Sequence, residues 1–286
     1  MSRVYDGRAC ALGEGPLWHP ELGQLFWFDI LGKRLLSRAG DTPLDWRFDE
    51  MFSAAGWVDR DRLLVASETA LWVMDLASGA LDQVTALDAD NPLTRSNDGR
   101  ADPYGGFWIG TMGKQAETGL GSIWRYYRGE LRRLFPDITI PNAICFSPDR
   151  HHAYFADTRK ATVWRVGLET FDGWPKGSPE IFLDLSHEKR SPDGAVTDAA
   201  GNLWLAEWGA SRVACYGPDG VFQRAVPVGG RHSSCPAFGG AEFSTLFVTT
   251  ARQGLSPEVL AAEPLNGCVF TAESGSRGLP EYRVIL

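Results

Sequence analysis

Five side chains carry the chemistry this sequence offers: Glu14, Arg95, Asn97, Asn142 and Asp193. They amount to two carboxylates, two carboxamides and one guanidinium, far apart along the chain. Carboxylate and amide oxygens are hard donors, so a cluster of them suits Ca²⁺, Mg²⁺ or Mn²⁺, and carboxylates also accept Zn²⁺ or Fe²⁺. No histidine stands at these positions, which argues against a purely zinc-type site. A rigid guanidinium fork beside such a cluster offers several N–H donors to the oxygens of a bound molecule. Taken singly, each Asn or Asp reads equally well as a cap on a turn at a strand start. The site reading rests on all four oxygen donors occupying equivalent positions in a repeat.

That repeat is a turn-forming stretch, an apolar strand, an Asp/Gly-containing turn and an aromatic-rich strand. It begins at Gly15-Pro16-Leu17-Trp18 and returns at Ala55-Gly56-Trp57-Val58 and Asn97-Asp98-Gly99-Arg100. Three more copies start at Asn142-Ala143-Ile144-Cys145, Asp193-Gly194-Ala195-Val196 and Cys235-Pro236-Ala237-Phe238. The starts lie roughly 40–50 residues apart, the length of a four-stranded propeller blade. Third strands show as well, in Ile123-Trp124-Arg125-Tyr126 and Val163-Trp164-Arg165-Val166. Six units fill the chain without a linker. The expected fold is therefore all-β, a six-bladed β-propeller forming a single domain over 1–286. Its ring would be closed by pairing N- and C-terminal strands, which removes an open sheet edge. Ser256 to Ala262 is the only short helical candidate. In a propeller the innermost strands line the axial channel, so polar residues repeated at their starts converge at one mouth.

Composition agrees and excludes. Eleven Trp, 32 Gly and 17 Pro in 286 residues favour many short strands broken by turns. A formal charge of −8 and the lack of a basic stripe argue against nucleic acid and anionic membranes as partners. The short basic clusters, Arg132-Arg133 and His187 to Arg190, are bordered by acids and read as solvated loop charge. Cys10, Cys145, Cys215, Cys235 and Cys268 are odd in number with no C-x-x-C, so reduced thiols in a cytoplasmic protein are expected. The first dozen residues hold Arg3, Asp6 and Arg8 and no long apolar run, which does not read as a signal peptide. No stretch is long and apolar enough for a membrane span.

Several segments resemble one family. Leu12-Gly13-Glu14-Gly15-Pro16-Leu17-Trp18, Arg95 to Gly105, Gly110-Thr111-Met112, Pro141-Asn142 and Ser191-Pro192-Asp193-Gly194 look like the SMP-30/gluconolactonase/regucalcin family, in its order and spacing and across nearly the whole chain. The resemblance implies a six-bladed propeller with one divalent metal ion, Ca²⁺ first and Zn²⁺, Mg²⁺, Mn²⁺ or Fe²⁺ as alternatives. It implies that Glu14, Asn142 and Asp193 bind that metal, that Asp193 is also the catalytic base, and that Arg95 and Asn97 bind substrate; in related propeller hydrolases an Asn like Asn97 also ligates the metal. Two positions depart from the pattern. Ala143 follows Asn142 where the family usually has Gly, and Gln115 stands where some members contact substrate with an acid.

The activity implied is metal-dependent hydrolysis of a sugar lactone, such as gluconolactone or xylonolactone, to its aldonic acid. A metal can polarise the carbonyl, and Asp193 can move the proton from water to the ring oxygen. No G-x-S-x-G occurs, against serine chemistry. The alternatives are a phosphotriesterase or paraoxonase-like hydrolase on the same scaffold, or a non-enzymatic calcium-binding propeller. A monomer is expected. Asp98 and Asp102 read as turn residues, Asp157 as a support for the site, and Trp18, Trp108 and Trp208 chiefly as inter-blade packing.

Overall fold

The computed structural model describes residues 2–286 and is almost wholly strand. Six four-stranded antiparallel sheets form six blades. Their innermost strands are Gly13–His19, Phe52–Asp59, Thr94–Ala101, Pro141–Phe146, Pro192–Thr197 and His232–Gly239. Each innermost strand packs beside the next, and the sixth returns to the first, so the six stand around one axis. The chain forms a six-bladed β-propeller. In the sixth blade the outermost strand is Arg3–Asp6, paired antiparallel with Val269–Glu273. The one α-helix among the described residues, Pro257–Ala262, is capped by the Ser256 hydroxyl, which accepts from Val259 N.

The core lies between blades rather than within one. Second strands such as Gln24–Asp29, Phe107–Gly113 and Leu203–Glu207 carry alternating apolar side chains on both faces. Their Trp27, Trp108 and Trp204 are fully buried. Strands covered on both faces read as continuous hydrophobic runs, which is what these segments are. Trp108 packs edge-on against Phe146 of the next blade, and Trp18 stacks on Phe247 of the previous one.

Two devices aim the inner strands at the axis. The first is a break in register against the second strand, between Glu14 and Leu17, Ser96 and Gly99, Asn142 and Cys145, and Pro192 and Ala195. Such bulges turn a side chain away from the strand's own alternation. Gly15 and Ala143 take left-handed backbone within them, at φ +52° and +55°. The second device is an acid at the end of the second strand, opposite the start of the first. Asp29, Asp157 and Glu207 pair in register with Gly13, Pro141 and Pro192. Asp157 accepts from Thr139 N and Ile140 N (3.1 Å each) and Asp29 from Leu12 N (3.1 Å), tying down the chain just before Asn142 and Glu14.

Asp102 holds its turn, accepting from Tyr104 N and Gly106 N and pairing with the buried Arg125. Asp98 does not serve a turn. The bulge points it inward, where it is buried and accepts from Ile144 N of the next blade at 2.7 Å. Sequence spacing places it one residue from Asn97 and so on the opposite face, but the irregular register overrides strict alternation.

Candidate active site

One mouth of the axial channel opens into a cavity of about 350 Å³. Glu14, Arg95, Asn97, Asn142 and Asp193 all line it, drawn from four of the six blades. All five are buried. Above them the walls are Leu12, Met112, Ile140 and Trp208, with Lys114, Gln115 and Gln253 at the rim.

A chain of hydrogen bonds orders the polar floor across three blades. Arg95 Nη1 donates to Asn97 Oδ1 (2.8 Å), and Asn97 Nδ2 donates to Asn142 Oδ1 (3.1 Å) and Pro141 O (2.9 Å). Asn142 Nδ2 donates to Thr158 Oγ1 (2.7 Å), whose hydroxyl donates to Pro192 O (2.6 Å), beside Asp193. Each amide oxygen accepts one bond and so keeps a free lone pair. Thr158 was missed by sequence reasoning. The signal was its place directly after Asp157, the residue opposite the start of the Asn142 strand.

The two carboxylates have far fewer partners. Glu14 accepts only a long bond from Gly15 N (3.3 Å), and neither Glu14 nor Asp193 has a cationic side chain within ion-pair distance among the described residues. Burial, then repulsion from Asp98, pushes the Glu14 carboxyl up to about 8. Burial, then Glu14 and Asp98, pushes Asp193 well above the usual carboxylate range. Burial lowers Arg95 to about 10 against the pull of Glu14, Glu68 and Asp193. Two buried acids repelling one another are unfavourable unless protonated or matched by positive charge. Among the described residues no group of three or more His, Cys, Asp or Glu gathers as a metal site. The donor set here is instead two carboxylates with carboxamide oxygens, all hard, which fits a divalent cation of the calcium or magnesium kind.

The rim differs from the floor. Lys114 pairs with Glu68, and Glu117 accepts from Gln115 N (3.1 Å) within its own turn, so Gln115 lines the cavity while the Glu117 carboxylate is engaged beside it. Trp208 is half-buried and stacked on His232, ring centroids 4.2 Å apart, with the indole lining the cavity. His232 backs that indole, and its Nδ1–H donates to Gln253 O at 3.0 Å. Trp18 and Trp108 pack between blades, and Trp208 both packs against the apolar cluster of Leu12 and Ala251 and lines the cavity.

Comparison with known proteins gives one family. Residues 12–252 match the model described as the SMP-30/gluconolactonase/LRE-like region. An L-arabinolactonase of Azospirillum brasilense is 36% identical, over 95% of this chain and 91% of its own. A 6-deoxy-6-sulfogluconolactonase of Pseudomonas putida is 32% identical, over 94% of both chains. Among solved structures, the calcium-binding protein regucalcin from Agrobacterium tumefaciens superposes with a TM-score of 0.97 at 39% identity, covering 100% of this chain and 98% of that one.

Proposed function

The chain belongs to the SMP-30/gluconolactonase/LRE-like family, and on that premise we propose that it hydrolyses a sugar lactone to the aldonic acid with the help of one divalent metal ion. The observation that carries this is the convergence of Glu14, Asn142 and Asp193 with Arg95 and Asn97 on one cavity of monosaccharide size. Glu14, Asn142 and Asp193 would hold the ion, with calcium the first choice. Bound there, a divalent cation supplies a Lewis acid for the lactone carbonyl and charge to balance a developing oxyanion.

The remaining steps belong to the chain's own side chains. Arg95, kept cationic by the acids around it and oriented by Asn97, presents its remaining N–H groups to the substrate's oxygens. Asp193 takes the proton from the attacking water. It then returns that proton to the ring oxygen as the C–O bond opens, so the acid and alcohol of the product are both accounted for. The Trp208 indole offers a flat apolar wall to one face of the sugar. The paired Lys114 and neutral Gln115 leave the rim without a free acid, which suits a neutral polyhydroxylated lactone.

All five cysteines are free and buried, which supports a reducing, cytoplasmic setting. Among the described residues no helix is long and apolar enough to cross a membrane. A monomer in one domain is the proposed working form.

The test is acid release from a panel of aldonolactones, followed with and without chelator. Chelator-sensitive turnover is expected. Phosphotriester turnover without lactone turnover, or inertness towards both, would overturn the reading.

A further inference from the structure

Residues 276–286 form no strand, yet they are bonded along their length to the end of the ring opposite the cavity. Ala199 N donates to Arg277 O (2.8 Å) and Gly278 N to Phe243 O (2.8 Å), reaching blades five and six. Trp57 Nε1 donates to Glu281 O (2.8 Å), Val284 N to Trp57 O (2.9 Å) and Ile285 N to Gly105 O (2.8 Å), reaching blades two and three. The segment packs closely on the ring: a Cβ on Gly56 or Gly105 would stand 2.6 Å from Val284 or Ile285, and one on Gly278 would stand closer still to Phe238. The segment lies outside the family match over residues 12–252.

At its centre the Glu281 carboxylate pairs with Arg100 inside the axial channel, both side chains nearly covered. Arg100 stands three residues beyond Asn97 on the same inner strand. Its Nη2 also donates to Ala195 O at 3.3 Å, two residues beyond Asp193 on another. Asp98 lies near the same guanidinium and holds Ile144 N, two residues beyond Asn142.

We propose that the C-terminal segment is a tie across the far end of the propeller and that Glu281 is a positioning residue for the metal site. It neutralises Arg100, fixing the strands that carry Asn97 and Asp193 against each other and leaving Asp98 to hold the strand that carries Asn142. This rests on the reading of Glu14, Asn142 and Asp193 as metal ligands.

The experiment compares the full chain with Glu281→Gln, Glu281→Asp and Arg277→Gln, the last removing an exposed pair with Glu242 in the same segment. Calcium ion alone is titrated by calorimetry, and amide exchange is followed in chelated protein. Outer partners of metal ligands are worth roughly tenfold or more in affinity. Glu281→Gln should lose about that factor in calcium affinity and exchange the Ile144 and Ala195 amides about tenfold faster. Glu281→Asp should recover most of both, and Arg277→Gln should match the parent. Unchanged affinity and exchange in Glu281→Gln, with only a lower unfolding temperature, would reduce the segment to a structural role and overturn the proposal. If Glu281→Gln does not fold, the apolar double variant Arg100→Met/Glu281→Met takes its place, and parental calcium affinity there overturns it equally. A parent that binds no divalent ion defeats the metal reading, while the exchange data still judge the tie.

Discussion

Asp193 and Glu14 illustrate how a residue's chemistry is set by what it lacks. Neither has a cationic side chain at ion-pair distance, and both are pushed towards protonation, Glu14 by burial and then Asp98, Asp193 by burial and then Glu14 and Asp98. A carboxyl whose pKa rises on folding stabilises the fold below its unfolded value, and that contribution disappears as pH climbs through the folded value. For Glu14 this window runs from its ordinary 4.5 to about 8. The chelated protein should therefore melt at a lower temperature at pH 8.5 than at pH 5.5, and added Ca²⁺ should restore the loss. A melting temperature that does not fall over that range in chelator would contradict the charge balance drawn here. Asp193→Ala and Glu14→Gln should each abolish lactone turnover while circular dichroism stays that of the parent. Full activity in either removes that residue from the mechanism. Ala143, at φ +55°, sits where a β-carbon costs about 1–2 kcal/mol, so Ala143→Gly should stabilise the fold by up to about 1 kcal/mol once glycine's extra chain entropy, about 0.4–1 kcal/mol, is subtracted. Denaturant melts decide that.

At the scale of elements, bulges and end-of-strand acids do the positioning. Asp157 is fully buried and satisfies backbone donors of Thr139, Ile140 and Arg159. Replacing it with Ala leaves buried N–H groups unpaired, at about 1–3 kcal/mol each. Asp157→Ala should lose about 3 kcal/mol of stability and bind the metal more weakly, because Ile140 leads directly to Asn142. Unaltered melting would show that water replaces the carboxylate. The repeat itself was visible in the sequence because Gly and Pro punctuate it and short apolar runs, Trp-containing in three blades, mark its second strands. The role of Asp98 was not, because a register break cannot be seen from alternation.

Across the whole molecule, the strand Arg3–Asp6 covers the edge of Val269–Glu273 and so ties the first residues of the chain to the last blade. An exposed strand edge is a template for pairing with another chain. A protein lacking residues 2–7 should show concentration-dependent association by sedimentation, and the parent, on the proposed reading, should sediment as a monomer. Association of the parent itself would overturn the monomer reading.

The sequence by itself determined the number of blades, the all-β class and the five cavity residues, because a repeat places equivalent side chains at equivalent points of a closed ring. It also led to the expectation that N- and C-terminal strands pair to close that ring, as Arg3–Asp6 and Val269–Glu273 do. Only the tertiary structure decided which neighbours those residues meet: Thr158 beneath Asn142, Asp98 turned inward between blades, Trp208 facing the cavity and Glu281 inside the channel. These contacts join residues that are distant in sequence and irregular in register. Neither periodicity nor residue type encodes such a meeting, which the close packing of the six blades imposes.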